Sequence, residues 1–220
     1  RPAPPTGTGI TPPGGAPAGQ ANEATLVFNY DRDDPRFEEV CIYHTIDSVQ
    51  RWVQGLGFNN TNPLPNGIRE FVTPANAHSF YGFNAFYNNY ILPSGEMHWG
   101  DGDPAGTGGD TVDMGEDADV AAHEYGHALL FAANPNMAPA GMSGDVQGLS
   151  EQGAIHEGFS DYVTLAFFAD KGNAAYLANP AYRASSGEWV VHGTANDPAP
   201  TPPWGLRSGV NNKTYADFGT

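Results

Sequence analysis

Two histidines four residues apart bracket a glutamate in the run His123-Glu124-Tyr125-Gly126-His127. In a helix each residue is rotated by about 100° from the last, so positions four apart stand nearly above one another and both imidazoles can aim a nitrogen at one point. Imidazole nitrogen suits Zn²⁺, and a catalytic zinc takes three protein ligands while leaving a position for water. Downstream, Gly153-Ala154-Ile155-His156-Glu157-Gly158-Phe159-Ser160-Asp161 offers Glu157 as the third ligand, an oxygen. Glu124 is turned off the direction of the two histidines, which sets its carboxylate beside the water as a general base and not on the metal. The competing reading is a pair of satisfied core histidines with a capping glutamate. It leaves a carboxylate among apolar neighbours with nothing to offset the loss of its hydration.

These side chains need two helices to hold them. Asp119-Val120-Ala121-Ala122 precedes the first motif, Ala128-Leu129-Leu130-Phe131 follows it, and Asn134-Pro135 ends the pattern, which predicts an apolar helix with a defined stop. Ser150 is a fair N-cap for a second helix over 151–169, with apolar residues at Ile155, Phe159, Tyr162 and Ala166 and a close at Lys171-Gly172. Asp161 lies one turn beyond Glu157, in reach of the other ring N–H of a ligand histidine, His123 first; its alternative is a solvated helix carboxylate.

At this point the chain resembles the gluzincin metallopeptidases, in particular the thermolysin-like and fungalysin-like groups. Three segments carry the resemblance: Asn84-Ala85-Phe86-Tyr87, similar to the edge strand that holds substrate backbone; Trp99-Gly100-Asp101-Gly102-Asp103, similar to the stretch ahead of the active-site helix; and 119–127 with 153–161. Two motifs in the right order are far more specific than either alone. The resemblance implies an α+β fold, a mixed β-sheet lobe packed on an active-site helix that carries the HExxH motif, with a second helix carrying the third zinc ligand. It implies zinc held by His123, His127 and Glu157, Glu124 as general base, Asp161 behind the ligands, and Asn84 and Ala85 binding substrate. Two departures stand out. Gly148 takes the place of the tyrosine that helps polarise the scissile carbonyl, and the C-terminal helical lobe, whose histidine stabilises the transition state, is incomplete where the chain stops at Thr220. His192 is a candidate for that role with no motif around it.

Elsewhere, 1–22 reads as an extended arm, since residues 1–19 hold six prolines and five glycines. Residues 23–175 read as the catalytic domain, and 176–220 as the start of the C-terminal lobe with a proline-rich connector at 198–203. Leu26-Val27-Phe28-Asn29-Tyr30 is a strand candidate, and Asp34-Pro35 opens an amphipathic helix whose Ile42, Ile46, Val49, Val53 and Leu56 share a face before Gly55 and Gly57 end it. Residues 71–90 with 96–99 are expected to be strands of a mixed sheet. Asp101, Asp103, Asp110, Asp113, Glu116, Asp117 and Asp119 crowd the loop before the zinc helix. That oxygen density has the chemistry to hold calcium, and equally to complement a helix dipole while staying solvated.

The chain has 220 residues, a net charge of -16 and one cysteine. Such acidity argues against nucleic-acid and anionic-membrane partners, and a lone Cys41 excludes an internal disulfide. No run approaches the roughly 18 apolar residues of a membrane span, so no membrane insertion is expected. A chain opening on Arg1-Pro2 reads as a processed, secreted piece. The expected function is that of a secreted zinc endopeptidase acting on peptide or protein substrates, completed by a second chain or a like subunit. The alternative is a structural or assembly subunit that keeps the metallopeptidase fold and is completed by another chain.

Overall fold

The computed structural model describes residues 21–31, 34–59, 68, 72–80, 82–89, 95–102, 113–135, 151–172, 178, 185–187 and 207–208. Most of the 1–22 arm, Asp103, Asp110, Gly148, Ser150, His192 and nearly all of 176–220 lie outside them.

Helix α1 (Arg36–Gly55) begins one residue later than the Asp34-Pro35 start implies, with Pro35 at the N-cap. The Asp34 carboxylate accepts the Arg36 N–H at 3.0 Å and its carbonyl the Phe37 N–H at 2.8 Å, satisfying two of the amides that a helix start leaves open. Glu38, Ile42, Thr45, Val49 and Val53 form the buried stripe. Leu56 falls beyond the helix end and is exposed, and Gly57 turns the chain away with φ +94°.

Strands β1 (Ala75–Phe80), β2 (Ala85–Asn88) and β3 (Glu96–Gly100) form a three-stranded mixed sheet in the order β1-β3-β2. β1 runs parallel to β3 and β2 antiparallel, with Ala85 opposite Trp99 and Tyr87 opposite Met97. β3 is central and buried along its whole length; Met97 and Trp99 are sealed from solvent. At its end Gly100 meets the Gly82 carbonyl so closely that any Cβ there would collide with it.

A 3-10 turn (Met114–Glu116) leads into helix α2 (Ala118–Ala133), capped by Asp117, whose carboxylate accepts the Asp119 N–H at 2.8 Å. α2 ends at Asn134, ahead of Pro135. It is buried nearly all round because it lies between two cores. One joins Ile42, Tyr87, Met97, Trp99, Met114, Val120, Ala121 and Ala128; the other joins Val49, Val53, Ala122 and Leu129 to Val163 and Phe167 of helix α3 (Glu151–Lys171). Each fully buried large apolar side chain contributes roughly 1.5 to 3 kcal/mol. A small antiparallel pair, β4 (Ser185–Ser186) with β5 (Arg207–Ser208), is tied to the start of α2 by the Gly187 N–H on Asp119 Oδ2 at 3.1 Å.

The fold class is therefore α+β, with a three-stranded mixed sheet and three α-helices among the described residues. No helix among the described residues is long and apolar enough to cross a membrane. Two expectations are corrected. Residues 26–30 form no strand: Leu26 sits at φ +58° in a turn closed on the Glu23 carbonyl, and Leu26 and Val27 face solvent. Polar anchors hold this segment, with Tyr30 O–H donating to Glu23 and the Arg36 guanidinium stacked over the Tyr30 ring. The second correction concerns the buried side of α3. Ile155 and Tyr162 are exposed, while His156, Ser160, Val163, Thr164 and Phe167 face inward.

Candidate metal centre

α2 and α3 cross tightly, and Gly126 permits it. A Cβ on Gly126 would stand 2.7 Å from the Ser160 Cα and 2.9 Å from its hydroxyl, both closer than side-chain carbons pack. The glycine inside the first motif and the small serine inside the second let the two backbones approach until side chains from both helices meet. Gly126→Ala is expected to force the helices apart at a cost of about 1 to 3 kcal/mol, the usual range for overpacking. Thermal denaturation with and without added Zn²⁺ checks this, since the variant should lose both stability and most of the stabilisation by zinc.

At the crossing, His123, His127 and Glu157 offer three ligand atoms that all lie within 4.8 Å of one another. His123 Nε2 is 3.3 Å from Glu157 Oε2, and His127 Nε2 is 3.6 Å from Glu157 Oε1. Donors about 2.0 to 2.2 Å from a tetrahedral ion are separated by about 3.3 to 3.6 Å, so these spacings fit a single zinc. The imidazole planes stand edge to face at 86°. Both histidines are buried, and Glu157 is 36% exposed although its Oε2, the oxygen facing His123, is shut off from solvent.

Each outer ring nitrogen has a partner. His123 Nδ1 lies 2.9 Å from Asp161 Oδ1. A carboxylate accepts, so the Nδ1–H tautomer donates to Asp161, and in that tautomer Nε2 is the ring's lone pair on the Glu157 side. His127 Nδ1 meets Nδ1 of His156 at 3.3 Å. With the proton on His127 Nδ1, its Nε2 is likewise a lone pair. Two lone pairs directed at a carboxylate make an arrangement that a divalent cation completes, and the donor set of two imidazoles and one carboxylate is one zinc takes.

Glu124 follows His123 on α2 and is 5% exposed. The Tyr87 ring lies nearly parallel to that of His127, with centroids 6.5 Å apart, and burial pushes its hydroxyl pKa above the usual range, so the phenol stays neutral. Tyr87 belongs to β2, an edge of the sheet that packs along α2. Ala85, the first residue of this strand, is half-buried against the core, and Asn84 just ahead of it is exposed, its carbonyl accepting the Gly100 N–H at 3.0 Å. The structure thus brings His123, His127 and Glu157 together, with Asp161 behind the His123 ring, and puts Ala85 at the start of β2 with Asn84 just ahead of it.

Sequence reasoning missed His156, buried at 2% exposure. Its signal was a polar residue beside Glu157 and four residues before Ser160, a helical step on the inward face. In the described part of the acidic loop the carboxylates contact protein groups. Asp117 caps α2, Asp119 holds the Gly187 amide, and Asp101 pairs with His78 at 2.9 Å. A chain of groups of another kind runs between β1 and β3, with Ser79 Oγ 2.6 Å from His98 Nδ1 and Glu96 3.2 Å from His98 Nε2. All three residues are buried, which shuts this serine off from substrate.

No family model matches the chain, and no curated protein matches it significantly.

Proposed function

We propose that this chain is a zinc-dependent endopeptidase whose metal is held by His123, His127 and Glu157. The observation that carries the reading is the convergence of those three donors from two helices, with both imidazoles presenting Nε2. When bound, the zinc supplies Lewis acidity, lowering the pKa of water and polarising a carbonyl oxygen. Glu124 takes the proton of the attacking water on its carboxylate and delivers it to the leaving amine. Asp161 fixes the His123 ring by accepting its Nδ1–H, and His156 does the same for His127. The peptide substrate class comes from the resemblance of 84–87, 99–103, 119–127 and 153–161 to gluzincin peptidases. It suits the placement of β2, where an extended peptide can add along the edge beside α2. Secretion and completion by a further chain belong to the same proposal.

The test is hydrolysis of an unstructured protein such as casein. Cleavage should stop when zinc is removed with a chelator and return on adding Zn²⁺. Cleavage that persists in metal-free protein would overturn the proposal.

A further inference from the structure

A second cluster of donors lies away from the α2–α3 crossing. β1 pairs with β3 at Asn76–His98 and again at Phe80–Gly100, so a four-residue step faces a two-residue step and β1 bulges between them. His78 sits in that bulge at φ +51°, a conformation uncommon outside glycine. The bulge turns its ring away from the sheet toward α1. There Nε2 lies 2.8 Å from the Pro35 carbonyl oxygen, while Nδ1 lies 2.9 Å from Asp101 Oδ1 and 3.0 Å from Glu38 Oε2.

The hydrogen-bond roles follow from the acceptors. A carbonyl only accepts, so Nε2 carries a proton, and Nδ1 of the neutral ring is a lone pair facing two carboxylate oxygens. Protonating Nδ1 gives a single N–H for two carboxylates. Asp101 takes it, and neither oxygen of Glu38 receives a hydrogen bond although Glu38 is only 2% exposed. A buried carboxylate with no donor is costly. Its surroundings add to the cost, since Asp113, Asp101 and Glu116 all press negative charge on it. Gly115 of the 3-10 turn makes room for it, because any Cβ there would collide with Glu38 Oε1. Burial, reinforced by these acids, pushes the Glu38 carboxyl up to about 8. Desolvation works against the charged His78 ring, but the Asp101 hydrogen bond and the Glu38 charge outweigh it and raise its pKa to about 9.

We propose that Glu38, His78 Nδ1 and Asp101 form a second divalent-cation site, structural in role, that joins α1, the β1 bulge and the end of β3. One ion can join all three groups at once, whereas the proton on His78 Nδ1 reaches only the Asp101 carboxylate. The donor spacings of 2.9 and 3.0 Å match neighbouring positions about 2.1 Å from an ion at right angles. One imidazole with two carboxylates suits Zn²⁺ or Mn²⁺ better than calcium, which takes oxygen alone.

The test is metal stoichiometry of the full chain, stripped with chelator, saturated with Zn²⁺ at neutral pH and freed of excess. Glu38→Gln and His78→Asn should each bind one equivalent fewer than the wild type, whatever the state of the α2–α3 site. His123→Ala should lose the other equivalent and keep this one, so the two sites fail or stand separately. An unchanged count in folded Glu38→Gln and His78→Asn overturns the site. Should those variants not fold, ¹⁵N-histidine NMR of the wild type decides the matter. The His78 Nδ1 resonance should shift on Zn²⁺ addition, and no shift at saturation means that a proton alone holds the cluster.

Discussion

Glu124→Gln is expected to slow peptide hydrolysis by about 10²- to 10⁴-fold, the contribution of a positioned general base. The amide keeps the shape and volume of the side chain in its buried place on α2, so the packing of the helix should be untouched. It has lost the capacity to take a proton from water. Zinc content must be measured alongside the rate, because retained metal with lost activity separates a base from a ligand. Equal rates for the two proteins, at equal zinc, would remove Glu124 from the mechanism.

Glu157→Ala should act earlier, on the metal itself. Glu157 is the donor that faces both Nε2 atoms, at 3.3 and 3.6 Å, and without it α3 contributes no ligand. Loss of an outer partner of a ligand costs about 10- to 100-fold in metal affinity. Loss of the ligand should exceed that and abolish hydrolysis with it. Competition against a chromophoric zinc chelator reads the affinity directly. Wild-type affinity in the variant would mean that the two histidines and the glutamate do not share an ion.

Much of this was legible in the residues because the signals were local. The i, i+4 spacing of His123 and His127, the apolar run around them and the stop at Asn134-Pro135 define α2 without reference to anything distant. The same holds for the stripe Ile42, Val49 and Val53 of α1. The inward face of α3 was misread because apolar residues were taken as its marker. The face turned toward α2 is instead built from His156, Ser160, Val163, Thr164 and Phe167, since the crossing at Gly126 needs a small residue and His127 meets a polar one. Ile155 and Tyr162 are left to solvent. The strand expected at 26–30 failed for a different reason, as its apolar letters carry no alternation and Leu26 takes a left-handed turn. The cluster of Glu38, His78 and Asp101 had no sequence signature at all. Its members are 40 and 23 residues apart, and a β-bulge brings them together, which no spacing rule encodes.

The most direct test of the central claim is zinc K-edge X-ray absorption of the chain loaded with one equivalent of Zn²⁺, on the wild type and on His127→Ala. The account predicts a first shell of nitrogen and oxygen at about 2.0 to 2.2 Å with imidazole scattering from two rings, falling to one ring or to unbound aqueous zinc in the variant. A spectrum unchanged by His127→Ala, or one without imidazole scattering, would contradict it.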